Sequence, residues 1–240
     1  MIRLPILNSP EYYTLHPSKV VAVGLNYREH ITESPGILTR PADSAAGRSE
    51  PSEPILFAKT PNVLIGAGED IVIPRSFLAR YGLAGLRTDY EAELAVLVGK
   101  RSKNVTVAEA MECILGFSCF NDVSQREIQN MDRSGWFRGK SFDTFGPIGP
   151  ALAPARGLGN PQALKIECRL NGRVVQSGNT TDMIFGVAEL VSFISQNMTL
   201  EEGDIIATGT PSGVGPLVDG DVVEVEIEGI GILKNAVREA

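Results

Sequence analysis

"TDYEAELAVLVGK" (88–100) sets three carboxylates, Asp89, Glu91 and Glu93, two residues apart at the mouth of an apolar run ending in Gly99. In an extended strand, residues i, i+2 and i+4 share one face, so the three charges point the same way. Beyond Glu93 that face continues through Ala95 and Leu97, while the other carries Leu94, Val96 and Val98. A strand apolar on both faces is buried on both. Its acids then stand at the edge of a core, where like charges repel and each must be compensated. Either water bathes that face or a cation does, and carboxylate oxygens suit a hard divalent ion such as Mg²⁺, Mn²⁺ or Ca²⁺.

The chain contains its own control. "DVVEVEIE" (221–228) also alternates glutamates, at Glu224, Glu226 and Glu228, but opposite them lie only Val223, Val225 and Ile227. That pattern describes a half-exposed strand with a solvated acidic face. Alternation alone therefore carries no chemistry, and the two-faced burial of 94–98 is what separates the two segments.

Working outward, "KVVAVGLNY" (19–27) reads as a buried strand feeding a loop, and "PILFAKTPNVLIGAGEDIVIP" (54–74) as two or three short strands punctuated by Pro and Gly. Between them, 34–54 is rich in Pro, Ser, Ala and Gly, too long for a simple connection, so 28–54 is a candidate lid. Residues 75–87 fit a short helix or a loop. "TVAEAMECILG" (106–116) has capping-box spacing at Thr106 and Glu109 and predicts a helix closed by Gly116. It leads into a strand, "FSCFND" (117–122). A hairpin is expected at Asn171-Gly172, a helix over 182–200, and a further hairpin turning at Asp219-Gly220. Many short strands with two clear helices predict one β-rich α+β domain over 1–240, with 1–18 as a lead-in.

Composition narrows the partners. A formal charge of −7 and no clustered Lys/Arg stripe argue against nucleic acid. No apolar run approaches the roughly 20 residues that span a bilayer. Three scattered cysteines form neither a disulfide framework nor a CxxC, which predicts buried thiols in the cytosol or an organelle matrix. Two histidines exclude a His-rich zinc site. The expected partner is a small molecule.

Several residues invite chemistry, each with an ordinary alternative. His30 lies three residues before Glu33 in "HITE", a spacing at which Glu33 could orient a general base, although a solvated His beside a Glu is commonplace. Asp122 ends a strand and could join the acidic set, or simply start a turn. Lys140 sits in a Gly/Pro/aromatic loop, where most lysines are solvated. "ATGTPSGVGP" (207–216) could offer N–H groups and the Thr210 hydroxyl to an anion, but it has neither the Lys nor the following helix of a P-loop.

Taken in order, "VVAVGLNYREHITE", "PILFAKTPNVLIGAGEDIVIP", "DYEAELAVLVGK", "GFSCFNDVSQREIQ", "WFRGKSFDTFGPIGP" and "NGRVVQSGNTTDMIFGVAELVSFISQNMTLEEGDIIATGTPSGVGP" resemble the fumarylacetoacetate hydrolase family, from about residue 19 to 216. The resemblance implies a mixed β-sandwich roll with a few short flanking helices, a homodimer, and one Mg²⁺ or Mn²⁺ per site. It implies Glu91, Glu93 and Asp122 as metal ligands and His30 with Glu33 as a water-activating pair on a lid. Lys140 is implied as a catalytic cation, and Gln129, Thr210 and Lys59 as substrate contacts. The implied chemistry is metal-dependent carbon–carbon cleavage of small 2-oxo, 2,4-dioxo or dicarboxylic acids through a pyruvate enolate: acylpyruvate hydrolysis, oxaloacetate decarboxylation, or both. Isomerisation of a 2-hydroxyhepta-2,4-diene-1,7-dioate, tautomerisation, and non-catalytic binding of an organic acid are the alternatives.

Overall fold

The structure is a computed structural model describing residues 2–33, 50–82, 86–133 and 135–240. Most of the lid candidate, 34–49, lies outside the described residues.

All seven residues of the strand Ala92–Val98 are buried, as its two apolar faces require. It is the central strand of a seven-stranded mixed sheet, in the order Ile55–Lys59, Val20–Gly24, Ile205–Ala207, Ala92–Val98, Ile114–Asn121, Gly146–Pro154, Leu64–Ile65. Leu94, Val96 and Val98 enter one core with Val223, Val225 and Ile227 of a second sheet and with Val187, Leu190 and Ile194 of the helix Val187–Asn197. Ala95 and Leu97 enter another, with Leu4, Phe57, Phe120 and Leu152. Each fully buried Leu or Val contributes about 1.5–3 kcal/mol. A one-residue slip would exchange the two faces along the whole strand and turn the acids away from their partners, so register is strongly specified.

The second sheet has five strands, in the order Arg173–Asn179, Lys165–Leu170, Val222–Ile227, Gly231–Glu239, Ile71–Ile73. Its first hairpin turns at Asn171 (φ 51°) and Gly172 (φ 78°), both left-handed as a two-residue type I′ turn demands. Val223, Val225 and Ile227 point inward, while Glu224 pairs with Lys234 and Glu226 with Arg169 at the surface. The expected solvated acidic face is therefore found. Two sheets with few helices make the predicted β-rich α+β fold.

Four local expectations need correction. The hairpin expected to turn at Asp219-Gly220 does not form there: Gly215–Pro216 pairs with Thr88–Tyr90, and Val222–Ile227 pairs with the strand that follows it, Gly231–Glu239. The helix over 106–116 is one α-turn, Val107–Ala110, and a 3₁₀ turn, Met111–Cys113. The capping box forms, with Glu109 accepting the Thr106 N–H at 3.1 Å, but Ile114 already belongs to a strand paired with both Ala92–Val98 and Gly146–Pro154. Gly116 is there for close approach, since a Cβ would lie 2.4 Å from the Ala153 carbonyl oxygen. The helix expected over 182–200 begins only at Val187, preceded by a 3₁₀ turn at Thr180–Asp182. The strand of 88–98 is broken at Glu91: Thr88–Tyr90 joins a small sheet with Ser124–Gln125 and Gly215–Pro216. The ambiguous 75–87 segment contains short helical turns, Arg75–Leu78 and Ala79–Tyr81. No helix among the described residues is long and apolar enough to cross a membrane.

Candidate active site

The break at Glu91 and the end of the strand Ile114–Asn121 bring three carboxylates together. Ala92 pairs with Asn121 and Glu93 with Phe120, so the next residue, Asp122, lands beside Glu91, whose carbonyl accepts the Asp122 N–H at 2.9 Å. Glu91, Glu93 and Asp122 are buried, and each offers an oxygen within 4.8 Å of the others.

Cations surround this cluster. Lys140 Nζ lies 2.9 Å from Glu91 Oε2 and 2.6 Å from Asp122 Oδ2. Lys59 Nζ lies 2.5 Å from Asp122 Oδ1, and Arg126 Nη2 lies 2.6 Å from Glu91 Oε1. Burial opposes ionisation of Glu91, but Lys140 and Arg126 outweigh it and hold the carboxyl far below the usual carboxylate range. Glu93 differs. Burial, then the neighbouring charges of Asp122 and Glu91, push its carboxyl well up. Among the described residues no ion pair reaches it, and it accepts the Gly209 N–H at 2.9 Å. Three hard oxygen donors converging, one of them an acid short of positive charge, are a donor set that fits Mg²⁺ or Mn²⁺.

Glu91 and Glu93 of the cluster line a small pocket. Arg126, Gln129, Lys140 and Thr210 add its polar side, and Phe57 and Trp136 an apolar wall. The two rings meet edge-on at 5.4 Å. Trp136 also lies against Gly24, where a Cβ would come within 2.5 Å of the indole. Lys59 takes a different place from the one expected. It lies behind Asp122, only 1% exposed, and also donates to the Val123 carbonyl, so it supports a carboxylate and does not line the pocket.

His30 reaches the pocket from the short helix Arg28–Glu33. That helix is fixed by Asn26, whose side chain donates to the Phe185 and Thr208 carbonyls and accepts the Phe185 N–H. Burial lowers the His30 pKa, so the imidazole is neutral at pH 7 and able to accept a proton. The expected His30–Glu33 hydrogen bond is absent: Nδ1 is 3.7 Å from Glu33 Oε2, and Glu33 instead accepts the Gly213 N–H.

Sequence reasoning missed Arg126, Asn26, Asp89 as a clamp, and Gln176. Asp89 is no ligand here; it takes Arg126 Nε at 2.7 Å and Arg87 Nε at 2.6 Å. One signal was present for Arg126: positions 126 and 129 are neighbours on the helix Arg126–Met131, so a guanidinium would accompany Gln129.

Comparison with known proteins agrees with this geometry. Residues 19–238 match the family model described as fumarylacetoacetate (FAA) hydrolase C-terminal. Human mitochondrial oxaloacetate tautomerase FAHD2A is 40% identical over 248 residues, covering 98% of this chain and 72% of that protein. The crystal structure of fumarylpyruvate hydrolase from Pseudomonas aeruginosa in complex with Mn²⁺ and pyruvate is similar with a TM-score of 0.83 and 28% identity, covering 100% of this chain and 96% of that one. A 5-carboxymethyl-2-hydroxymuconate delta-isomerase from Mycobacterium smegmatis is similar with a TM-score of 0.77 and 35% identity, covering 94% of this chain and 78% of that one. The chain belongs to the fumarylacetoacetate hydrolase family.

Proposed function

We propose that the protein is an enzyme that cleaves a carbon–carbon bond in small 2-oxo or 2,4-dioxo acids, with Mg²⁺ or Mn²⁺ held by Glu91, Glu93 and Asp122. The observation that carries this reading is the buried His30 lining the same pocket as Glu91 and Glu93 of the carboxylate cluster. A bound divalent ion supplies Lewis-acid polarisation of the substrate's carboxylate and 2-oxo oxygens.

The chain's own residues do the rest. Lys140, kept charged because Asp122 and Glu91 outweigh its burial, places positive charge where the enolate oxygen develops. Arg126, Gln129 and Thr210 offer donors to the substrate's other oxygens. His30 takes a proton from water as that water attacks the distal acyl carbon. The bond between that carbon and the methylene breaks, its electron pair enters the enolate, and protonation at the methylene gives pyruvate beside a carboxylic acid. With oxaloacetate, loss of CO₂ leaves the same enolate and needs no attacking water. The working unit in this reading is a homodimer in the cytosol or an organelle matrix.

The similarity to an oxaloacetate tautomerase over 98% of the chain favours one second reading, keto–enol exchange of oxaloacetate with His30 moving a proton between carbon and oxygen. Pyruvate release from acylpyruvates and from oxaloacetate, with Mg²⁺ or Mn²⁺, separates the readings. Release that His30→Ala and Glu91→Ala both abolish supports cleavage. Loss of the oxaloacetate enol absorbance without pyruvate supports the tautomerase. Metal and oxaloacetate binding without either would leave an organic-acid binder.

A further inference from the structure

Gln176 lies on the strand Arg173–Asn179 of the second sheet, is 1% exposed, and does not line the pocket. Its amide nevertheless joins two parts of the site. Oε1 accepts the N–H of Ala92, the residue between Glu91 and Glu93, at 3.0 Å. Nε2 donates to Thr210 Oγ1 and to the Pro211 carbonyl oxygen, each at 2.8 Å. The amide's orientation follows from chemistry: a backbone N–H at one end requires oxygen, and a carbonyl at the other requires NH₂.

This orientation fixes the neighbouring hydroxyl. A threonine hydroxyl has one proton to donate and two lone pairs. Gln176 occupies a lone pair of Thr210, which leaves the proton to be offered to the pocket that Thr210 lines. We propose that Gln176 is a positioning residue that makes Thr210 a hydrogen-bond donor to an anionic or carbonyl oxygen of the ligand, and that registers this donor against the Glu91–Glu93 strand. The inference rests on the reading above, in which Thr210 contacts a 2-oxo acid. Glutamate at this position would reverse the polarity: an ionised oxygen would accept the Thr210 proton and withdraw it from the ligand.

The test measures pyruvate binding calorimetrically to Mn²⁺-loaded protein at mildly alkaline pH, together with KM and kcat for whichever 2-oxo acid the wild type turns over. Thr210→Val is expected to weaken binding about tenfold, the scale of one hydrogen bond to a charged group. Gln176→Glu is expected to weaken it by a similar factor, to act on KM more than on kcat, and to add little in the Thr210→Val background. Gln176→Met, which keeps the volume and carries no buried charge, should show the same direction with a smaller factor. Thermal melting of the metal-free variants confirms that each is folded. An unchanged affinity in both Gln176 variants, beside a weakened Thr210→Val, overturns the inference alone. So does full additivity of Gln176→Glu and Thr210→Val. A wild type that neither binds pyruvate nor turns over any 2-oxo acid overturns the functional reading, and this inference with it.

Discussion

Glu33 accepts the backbone N–H of Gly213 with both carboxylate oxygens, at 3.1 and 2.9 Å, and so ties the helix bearing His30 to the loop bearing Thr210. A second contact, Ser212 Oγ to Glu29 Oε2 at 3.1 Å, runs beside it. Gly213 has φ 96°, and a Cβ there would meet the Val175 carbonyl oxygen at 2.2 Å, so only glycine presents its N–H at this place. The partner expected to orient the imidazole through a side chain holds its helix through the backbone instead.

Loss of the tether should lower kcat, because His30 would no longer be held at the pocket. Glu33→Ala is expected to cost about threefold to tenfold, the range for an ordinary net hydrogen bond, because Glu33 is exposed to water. Gly213→Ala breaks the same contact and adds backbone strain. In the Gly213→Ala background, Glu33→Ala should therefore cost nothing further. Steady-state kinetics on the four proteins decides it; independent, multiplying losses would mean that Glu33 acts elsewhere.

The acid limb of the pH–rate profile should lie below the ordinary histidine value of about 6.5. Burial lowers the His30 pKa, so the base stays neutral at pH values where a solvated imidazole is half protonated. The sign for stability follows. Between the folded and unfolded pKa values the unfolded chain binds a proton that the native state does not. Stability then falls as pH drops below about 6.5 and levels off below the folded pKa. His30→Gln should flatten that fall in melting scans and reduce kcat about 100- to 10,000-fold, the usual contribution of a general base. A limb above 6.5 would place the essential base on another group.

What the residues disclosed, and what they withheld, divides along sequence distance. The two-faced burial of 94–98, the Asn171-Gly172 turn and the solvated Glu224–Glu228 face are local patterns, and each is realised in the structure. The helix expected over 106–116 failed because its apolar spacing at 114 and 115 serves strand pairing with segments well removed in sequence. Glu91 and Glu93 were legible as charges that a buried strand end must compensate, whereas Asp122 and Lys140 joined them only through the family resemblance. Asn26, Gln176 and the Asp89–Arg126 clamp were not legible. Each acts through hydrogen bonds across 37 to 182 residues of sequence, and a polar residue in a strand or loop carries no sign of such a partner.

Glu93 should carry the signature of the cation. In the metal-free protein its raised pKa means the native state keeps a proton that the unfolded state releases, so stability falls as pH rises above the ordinary carboxylate range. Glu93→Gln keeps an acceptor for the Gly209 N–H and removes the surplus charge. It should stabilise the EDTA-treated protein near pH 7, and remove most of the rise in Tm that Mn²⁺ or Mg²⁺ gives the wild type. An intact metal-dependent shift in this variant would exclude Glu93 as a ligand.

Lys140 should show the opposite dependence. Its amine is 2% exposed and joins Glu91 to Asp122, so Lys140→Met leaves both carboxylates buried with one cation fewer. Removing one partner of a buried ion pair costs about 3–5 kcal/mol, because the charge left behind keeps its desolvation penalty. The metal-free variant should melt well below the wild type. A divalent cation, by neutralising the same carboxylates, should recover part of the loss, so the Mn²⁺-induced rise in Tm should be larger in Lys140→Met than in the wild type. Activity should stay low even when stability returns, because the charge facing the developing enolate is gone. If Mn²⁺ restored turnover together with Tm, Lys140 would be a structural counter-ion with no part in the chemistry. Differential scanning fluorimetry and pyruvate release on the same samples, with EDTA and with Mn²⁺, separate the two roles.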